Sequence, residues 1–338
     1  MVKPYSRLGK IGFVLTGGSL RGAFQAGALK AFKEANIIPS YVVGASVGAV
    51  NGATFSAGKL DTLIKTYLDI AAKPKKYLYK FNYHSFFRGF FWSQSILVNK
   101  PLKEVLEERL GFQNLISSPI KLDILTTDYQ GGGAVVFSNK NPKHQNPELL
   151  ANALLASSAM PTVFPPFVYK KHQLFDGEVR EKVPISFAIK EKCDTIFVIL
   201  DESREHLKTN ERFDSVHSII QRTVQLVSWH MANKNLYGAE EINKDIKAYK
   251  NLSDRIIKVI DAKVKNKDLK NELKKDLTGL LGKKNISCQR KRLVNLFIIE
   301  PDPKKENKPS LLNFKSIPAY LDSGYNKTLK ILKKGGLM

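Results

Sequence analysis

The serine at position 46 has the spacing of neighbours that is typical of a nucleophile. It lies in the run Gly44-Ala45-Ser46-Val47-Gly48, with a glycine two residues away on either side. A serine at a sharp turn between strand and helix needs neighbours without a Cβ, because the backbone must fold tightly to leave the hydroxyl exposed. The alternative is a glycine-rich turn without chemistry, since so short a pattern also arises by chance.

The residues around Ser46 have the pattern of a strand that leads into a helix. Residues 40–43 are rich in β-branched and aromatic types, and residues 47–57 are small and apolar. Upstream, a β-type run at 11–16 leads through two glycines into helical spacing at 20–35. Alternation of this kind predicts a mostly parallel sheet with helices on its faces. Further β-rich stretches are expected to join that sheet, at 120–126, 134–138, 195–200 and 293–299.

The first glycine loop, Gly17 to Gly22, offers a place to stabilise an oxyanion. A serine that attacks an ester carbonyl creates a negative oxygen, which requires hydrogen-bond donors. The loop lies between a predicted strand and a predicted helix, so its N–H groups point outward at a positive helix N-terminus. A phosphate-binding nucleotide loop is the alternative, but the sequence has neither Gly-x-Gly-x-x-Gly nor a Gly-Lys-Ser/Thr ending here.

Four blocks in order resemble those of the patatin-like phospholipases. They are Gly-Gly-Ser-Leu-Arg-Gly at 17–22, Gly-Ala-Ser-Val-Gly at 44–48, Ala-Ser-Ser-Ala-Met-Pro-Thr-Val-Phe-Pro-Pro at 156–166, and Asp-Gly at 176–177. The resemblance extends from Ile11 to about Leu200. In addition, residues 314–332, with Ser-Gly-Tyr at 323–325, are similar to the closing helix of the family. The basic segment at 244–292 is not covered.

The resemblance implies a three-layer α/β/α fold with a mostly parallel central sheet. We expect one catalytic domain over residues 8–338. The pattern at 213–241 predicts one long helix, and the composition of the basic segment at about 244–292, rich in Lys and Asn, predicts a helical insertion on the surface. Ser46 takes the role of nucleophile and Asp176 that of base, in a dyad that uses neither a metal nor another cofactor. The implied oxyanion hole comprises Gly17, Gly18, Ser19 and Val47. Residues that support the motifs are Arg21, Gly22, Gly44, Gly48 and Gly177.

Two positions depart from the family pattern, and the role of one arginine is open. Ser19 replaces the third glycine of the usual start, where the backbone needs unusual freedom. Glu178 follows Asp176-Gly177, where a small residue is more usual, and a second carboxylate there can raise the pKa of the first. Arg21 is interpreted as stiffening the loop, as pairing with a lipid phosphate, or as a plain surface arginine. The six histidines are scattered and are interpreted as structural.

The charge of the chain favours contact with a polyanion. The net charge is +23 from 54 basic and 31 acidic residues, and Arg255 to Arg292 holds 13 Lys and Arg against 4 Asp and Glu. This excess has three interpretations: the protein contacts an anionic membrane surface, it contacts nucleic acid, or the lysines are simply solvated. The run 77–92, with nine aromatic residues and basic residues between them, suits a lipid boundary, single-stranded nucleic acid or core packing.

The sequence therefore predicts a lipid acyl hydrolase of the phospholipase A or lysophospholipase type. Acyl transfer by the same dyad is the second hypothesis, and a catalytically decayed module that binds membrane or nucleic acid is the third. The expected partners are a phospholipid or other acyl-ester substrate and an anionic membrane contacted peripherally, with nucleic acid not expected. The absence of a signal peptide pattern or a long apolar run predicts a cytoplasmic protein, and two cysteines are too few for a disulfide framework.

Overall fold

A computed structural model describes residues 8–74, 80–81, 95, 97–98, 100–205, 212–284, 293–302, 309 and 313–338. The aromatic run at 77–92 lies outside the described residues, apart from Lys80 and Phe81, and so do residues 285–292 of the basic segment. Within the described part of the chain, no helix combines the length and apolar character needed to span a membrane.

The described residues form ten strands and ten α-helices. The strands are β1 (Ile11–Leu15), β2 (Tyr41–Ala45), β3 (Lys80–Phe81), β4 (Leu97–Val98), β5 (Lys121–Asp128), β6 (Ala134–Ser138), β7 (Phe167–Tyr169), β8 (His172–Asp176), β9 (Thr195–Ile199) and β10 (Asn295–Ile299). The helices are α1 (Gly22–Glu34), α2 (Val47–Ser56), α3 (Leu60–Ala72), α4 (Lys100–Arg109), α5 (Phe112–Ser117), α6 (Pro147–Ser157), α7 (Ile185–Lys190), α8 (Val216–Lys263), α9 (Lys267–Lys284) and α10 (Ile317–Lys334).

The main sheet is mixed but mostly parallel, as the sequence predicts. Its order is β10-β9-β1-β2-β5-β8-β7, with β6 also paired to β5. The five strands from β10 to β5 run parallel, whereas β6, β7 and β8 join antiparallel. All the β-rich stretches predicted from the sequence are part of this sheet. The hairpin of β7 and β8 was not predicted as a pair, because its strands are short and partly polar.

Alternating side chains of the central strands divide the core into two halves. Phe13 and Leu15 of β1 pack with Val42 of β2 in a large core that includes side chains of α1, α2, α3, α6 and α10. Val14 and Val43 point the other way, into a smaller core with side chains of α7 and α8. This is the period-two alternation of a strand that is buried on both faces. Helices on both faces of the sheet give the predicted three layers.

Two glycines let α1 and α10 approach until their backbones touch. A Cβ on Gly27 would lie 1.8 Å from the carbonyl oxygen of Leu321, and a Cβ on Gly324 would lie 1.9 Å from that of Phe24. No real side chain fits at such distances, so any other residue would push the helices apart. The closing helix implied by the resemblance is therefore α10, which packs against the helix that follows the first glycine loop.

Helix α8 is longer than the sequence predicts. The sequence pattern indicates a helix at 213–241 that is separate from an insertion at 244–292, but α8 continues without a break through Lys263. The following helix, α9, is joined to it by ion pairs of Asp261 with Lys270 and Lys274, at 3.6 and 2.7 Å. The described part of the basic segment thus consists of the end of α8 and of α9.

Candidate active site

Ser46 occupies a strained turn between β2 and α2. Its φ of 52° and ψ of −132° are unusual for a residue with a side chain, and such strain is often found at functional sites. The turn is tight on both sides. A Cβ on Gly44 would lie 2.5 Å from the carbonyl of Gly48, and a Cβ on Gly48 would lie 2.5 Å from the carbonyl oxygens of Leu15 and Thr16. Both positions therefore require glycine.

Asp176 is the last residue of β8 and is buried. Its backbone is fixed on both sides, because its N–H donates to the Ala159 carbonyl at 3.0 Å and its carbonyl accepts from Thr127 Oγ1 at 2.8 Å. Its Oδ1 accepts a hydrogen bond from the Glu178 N–H at 2.9 Å. The carboxyl group is thus held in one orientation by its own turn.

The register of β5 brings Ser46 and Asp176 together. Strand β6 pairs with Asp123 to Thr127 of β5, so it occupies one edge, and the other edge is shared by β2 and β8. On that edge Ala45 is opposite Leu125, and Asp176 is opposite the next residue, Thr126. Since β2 runs parallel and β8 antiparallel to β5, their carboxyl ends meet there. Ser46 follows directly after Ala45.

The third sequence block supports this meeting point. The Ser157 hydroxyl accepts a hydrogen bond from the Ser46 N–H at 2.9 Å and donates one to the Leu125 carbonyl at 2.7 Å. Two residues later, the Ala159 carbonyl accepts from the Asp176 N–H. The block therefore holds the backbones of both residues. The Ser46 N–H is engaged in this contact and is not a free donor.

The first glycine loop lies against Ser46. A Cβ on Gly17 would be 2.5 Å from Cβ of Ser46 and 2.4 Å from the carboxyl carbon of Glu178, so only glycine fits between them. Gly18 has φ 148° and Ser19 has φ 54°, so the backbone of the loop has positive φ at two successive residues. Within the described part of the chain, no protein acceptor is hydrogen-bonded to the N–H groups of Gly18, Ser19 or Val47. Free donors on a loop beside a serine are what an oxyanion hole needs.

An ion cluster of Arg21, Glu178, Lys182 and Asp201 lies behind the loop. Arg21 binds Asp201 through Nη2 at 2.7 Å and Nε at 2.8 Å. Lys182 Nζ lies 2.6 Å from Glu178 and 3.4 Å from Asp201, and it donates to the Gly17 carbonyl at 3.4 Å. Arg21 is therefore bound within the protein, which agrees with the interpretation that it stiffens the loop. Its guanidinium is partly buried and engaged by Asp201.

The electrostatics of the site favour a neutral Asp176 at neutral pH. Burial and the neighbouring Glu178 carboxylate raise the pKa of Asp176 to about 8, while hydrogen bonds from the Glu178 N–H and from Ser46 oppose the rise. Burial also raises the pKa of Glu178, against the effect of Lys182. The second carboxylate noticed in the sequence therefore lies close enough to Asp176 to affect its titration.

Of the histidines whose side chains are described, two are hydrogen-bonded elsewhere and the third is exposed. His172 Nδ1 lies 2.7 Å from Asp128, His144 accepts from the Ser138 N–H at 3.2 Å, and His230 is exposed on α8. None of these three is hydrogen-bonded to Ser46 or Asp176. His84, His206 and the side chain of His217 lie outside the described residues. Nor do the described residues contain a group of three or more His, Cys, Asp or Glu with the geometry of a metal site.

Comparison with models of protein families identifies the family of the chain. The model of the patatin-like phospholipase family matches residues 13–189, which is more than half of the chain. The chain belongs to the patatin-like phospholipases. The resemblance found in the four sequence blocks is thereby confirmed, and the protein is placed among lipid hydrolases at the level of the family.

Among solved structures, this patatin-like chain is similar to that of VipD from Legionella pneumophila. The two share 14% sequence identity with a TM-score of 0.41, over 97% of this chain and 67% of the VipD chain.

The sequence motifs do not reveal the residues that support the patatin-like site from behind. Lys182 and Asp201 follow the fourth block without a motif of their own, and Ser157 is not distinguished from its neighbours inside the third block. The one usable signal was Glu178, whose negative charge beside a buried aspartate requires a cation close by. Lys182, four residues later, supplies it.

Ser19 allows a prediction about the loop. Its φ of 54° is a conformation that glycine adopts freely, and its side chain is exposed, so serine is accommodated at the expense of backbone strain. We expect Ser19→Gly to change turnover of a fatty-acyl ester by less than about tenfold, or about 1.4 kcal/mol. Steady-state kinetics of the two proteins measures this. A gain of about a hundredfold would show that serine misforms the natural loop.

Proposed function

We propose that the protein is a lipid acyl hydrolase that cleaves fatty-acyl esters of phospholipids or lysophospholipids through an acyl-Ser46 intermediate. The observation that carries the proposal is the junction on β5, where the turn of Ser46 meets the buried carboxyl group of Asp176 beside a loop of free N–H groups. Nucleophile, base and oxyanion donors are the three parts that acyl transfer requires. Membership of the phospholipase family supports the lipid substrate.

In the proposed reaction Ser46 Oγ attacks the acyl carbon, and its proton passes to the Asp176 carboxylate. The new oxyanion accepts hydrogen bonds from N–H groups of Gly17, Gly18, Ser19 and Val47. As the ester bond breaks, the leaving alcohol takes the proton from Asp176. Water then attacks the acyl-serine and gives a proton to Asp176. As the bond between the acyl carbon and Ser46 Oγ breaks, Asp176 returns that proton to Oγ, and the free fatty acid departs. Only the ionised form of Asp176 can take the proton of Ser46. Because the pKa is raised to about 8, this form is the smaller fraction at neutral pH and grows as pH rises, and the protonated form returns the proton readily.

Exposed apolar side chains near the site support an acyl chain as part of the substrate. The ring of Tyr129 lies 4.2 Å from that of Phe175, the neighbour of Asp176, and burial together with the Asp176 charge raises the pKa of Tyr129. Val179 is exposed three residues after Asp176 in the chain. Met160 is exposed next to Ala159, whose carbonyl accepts the hydrogen bond from the Asp176 N–H. A fatty-acyl chain would cover such a rim.

The experiment uses phospholipid vesicles in water enriched in ¹⁸O, with mass spectrometry of the products. We expect fatty acid that carries one ¹⁸O atom, because water opens the acyl-serine. Acyl groups found on an added alcohol or lysolipid acceptor, with little labelled fatty acid, would favour the acyltransferase hypothesis. Absence of both products for a protein that still binds vesicles would favour a decayed binding module.

A further inference from the structure

Helix α8 crosses the smaller core from the carboxyl ends of the parallel strands, here called the carboxyl edge, to their amino ends, the amino edge. Near its start, Trp229 Nε1 donates to the Arg204 carbonyl at 2.7 Å, just beyond the carboxyl end of β9. Further along, Asn243 exchanges hydrogen bonds with Val294, which precedes β10, at 2.9 and 3.2 Å. The helix therefore runs from the carboxyl edge of the parallel strands towards their amino edge. The Ser46 turn lies at the carboxyl edge.

The first turns of α8 extend beyond the sheet on the side of the candidate active site. Residues 216–228 precede the Trp229 contact and are about 20 Å long at 1.5 Å per residue. We call them the overhang. Four of its large apolar side chains are strongly exposed: Ile219, Ile220, Leu226 and Val227. Counted from Ile219, the other three are one, seven and eight residues further along, which places all four on one face of the helix.

The charge around this apolar face suits an anionic surface. The overhang contains no acidic residue and one basic residue, Arg222, and Lys234 lies further along α8, beyond Trp229. The acidic residue nearest in sequence among the described ones, Asp214, is paired with Arg212 at 2.8 Å. An apolar helix face with basic residues beside it is the pattern of a helix that lies in the interface of an anionic bilayer.

The exposed apolar rim of the active site lies at the same edge. Tyr129 follows the carboxyl end of β5, and Met160 and Val179 are near Asp176. Like the overhang, these side chains are exposed where the parallel strands end. The two apolar areas thus face the same side of the molecule, which is the side from which a lipid ester must enter.

From this arrangement we propose that the overhang docks the protein on an anionic lipid bilayer, with the Ser46 site turned towards the membrane. The inference rests on the proposed function, because docking would bring the lipid ester to the active site. Vesicle binding tests the docking itself without measuring catalysis. The end of α8 lies away from this contact, since Val259 is 16 residues beyond Asn243, or about 24 Å further from the carboxyl ends of the strands. This placement differs from the membrane interpretation of the basic segment given above, and the two make different predictions for a variant at Val259.

Two matched variants test the placement, Ile220→Glu in the overhang and Val259→Glu at the far end. Both residues lie on α8 with similar exposure, 58% and 54%, and both substitutions replace an exposed apolar side chain by a carboxylate. Co-sedimentation is measured with vesicles of phosphatidylglycerol and phosphatidylcholine, and with phosphatidylcholine alone. Turnover of a soluble p-nitrophenyl butyrate ester reports separately on the catalytic site.

We expect Ile220→Glu to weaken binding to the anionic vesicles at least tenfold, and Val259→Glu to change it by less than twofold. Binding of the wild type should be weaker to phosphatidylcholine alone. Both variants should keep wild-type turnover of the soluble ester. Equal weakening by both variants, no effect of Ile220→Glu, or a wild-type dimer in light scattering that only Ile220→Glu dissociates would overturn the proposal. A wild type that binds vesicles as expected but cleaves no ester would refute the proposed function alone.

Discussion

Replacement of Ser46 by alanine is expected to reduce hydrolysis of a p-nitrophenyl fatty-acyl ester by at least about 10⁴-fold. Without the hydroxyl no acyl-serine forms, and the residual rate comes only from the oxyanion donors and from binding. The fold should be unaffected, because the contacts of the turn are made by the Ser46 backbone, whose N–H binds Ser157. Initial rates with enzyme of matched concentration give the comparison, and circular dichroism checks the fold.

A second serine provides the control for this prediction. Ser158 is close by in the third block, and its buried hydroxyl has no hydrogen-bond partner among the described residues. Ser158→Ala should therefore keep turnover within about threefold, because it removes a side-chain oxygen without breaking a hydrogen bond. If Ser46→Ala retained a tenth of the wild-type rate, Ser46 would not be the nucleophile.

Replacement of Asp176 by asparagine is expected to lower turnover by about 10² to 10⁴-fold. The amide has the shape of the carboxyl group and can still accept the hydrogen bond from the Glu178 N–H, but it cannot take the proton of Ser46. The double variant with Ser46→Ala should be little worse than either single one, since the pair acts as a unit. A double variant with multiplied losses would show that the two residues act independently.

The same substitution is expected to stabilise the protein at alkaline pH. With a pKa of about 8 in the folded state, Asp176 keeps a proton that the unfolded chain has lost above its ordinary value of 3.8. The folded state therefore binds more protons, and the stability of the wild type falls as pH rises between these two values. An asparagine does not titrate, so the stability of the Asp176→Asn variant does not fall in this way as pH rises.

Urea unfolding of wild type and Asp176→Asn at pH 5 and pH 8 measures this difference. The advantage of the variant should be larger at pH 8 than at pH 5. An equal difference at both pH values would mean that the folded state does not raise the pKa of Asp176. A variant less stable than wild type at both values would mean that the carboxylate is a stabilising group.

The local parts of the site could be predicted from the sequence. The turn of Ser46 depends on Gly44 and Gly48, and both lie within two residues of it. The strand before it and the helix after it have clear apolar patterns, so their positions follow from local preferences. The same holds for the end of β8 at Asp176, where a short apolar run leads into glycine.

The non-local parts could not be predicted without the fold. Asp176 meets Ser46 because β2 and β8 share one edge of β5, and no local pattern encodes that register. Lys182 and Asp201 hold the glycine loop from different segments, so their roles appear only in three dimensions. The continuity of α8 was also missed: the sequence predicts helices on both sides of residues 242–243, but the change to a Lys- and Asn-rich composition there indicates a boundary, whereas α8 runs through it.

The central claim is that Ser46 and Asp176 form the catalytic dyad without a histidine, and labelling with a fluorophosphonate tests it most directly. The phosphonate reacts only with an activated serine, and mass spectrometry of the digested protein locates the adduct. We predict an adduct on Ser46 in the wild type and in each of six single histidine-to-alanine variants, and very slow labelling of Asp176→Asn. An adduct on another residue, or a folded histidine variant that labels as slowly as Asp176→Asn, would contradict the dyad.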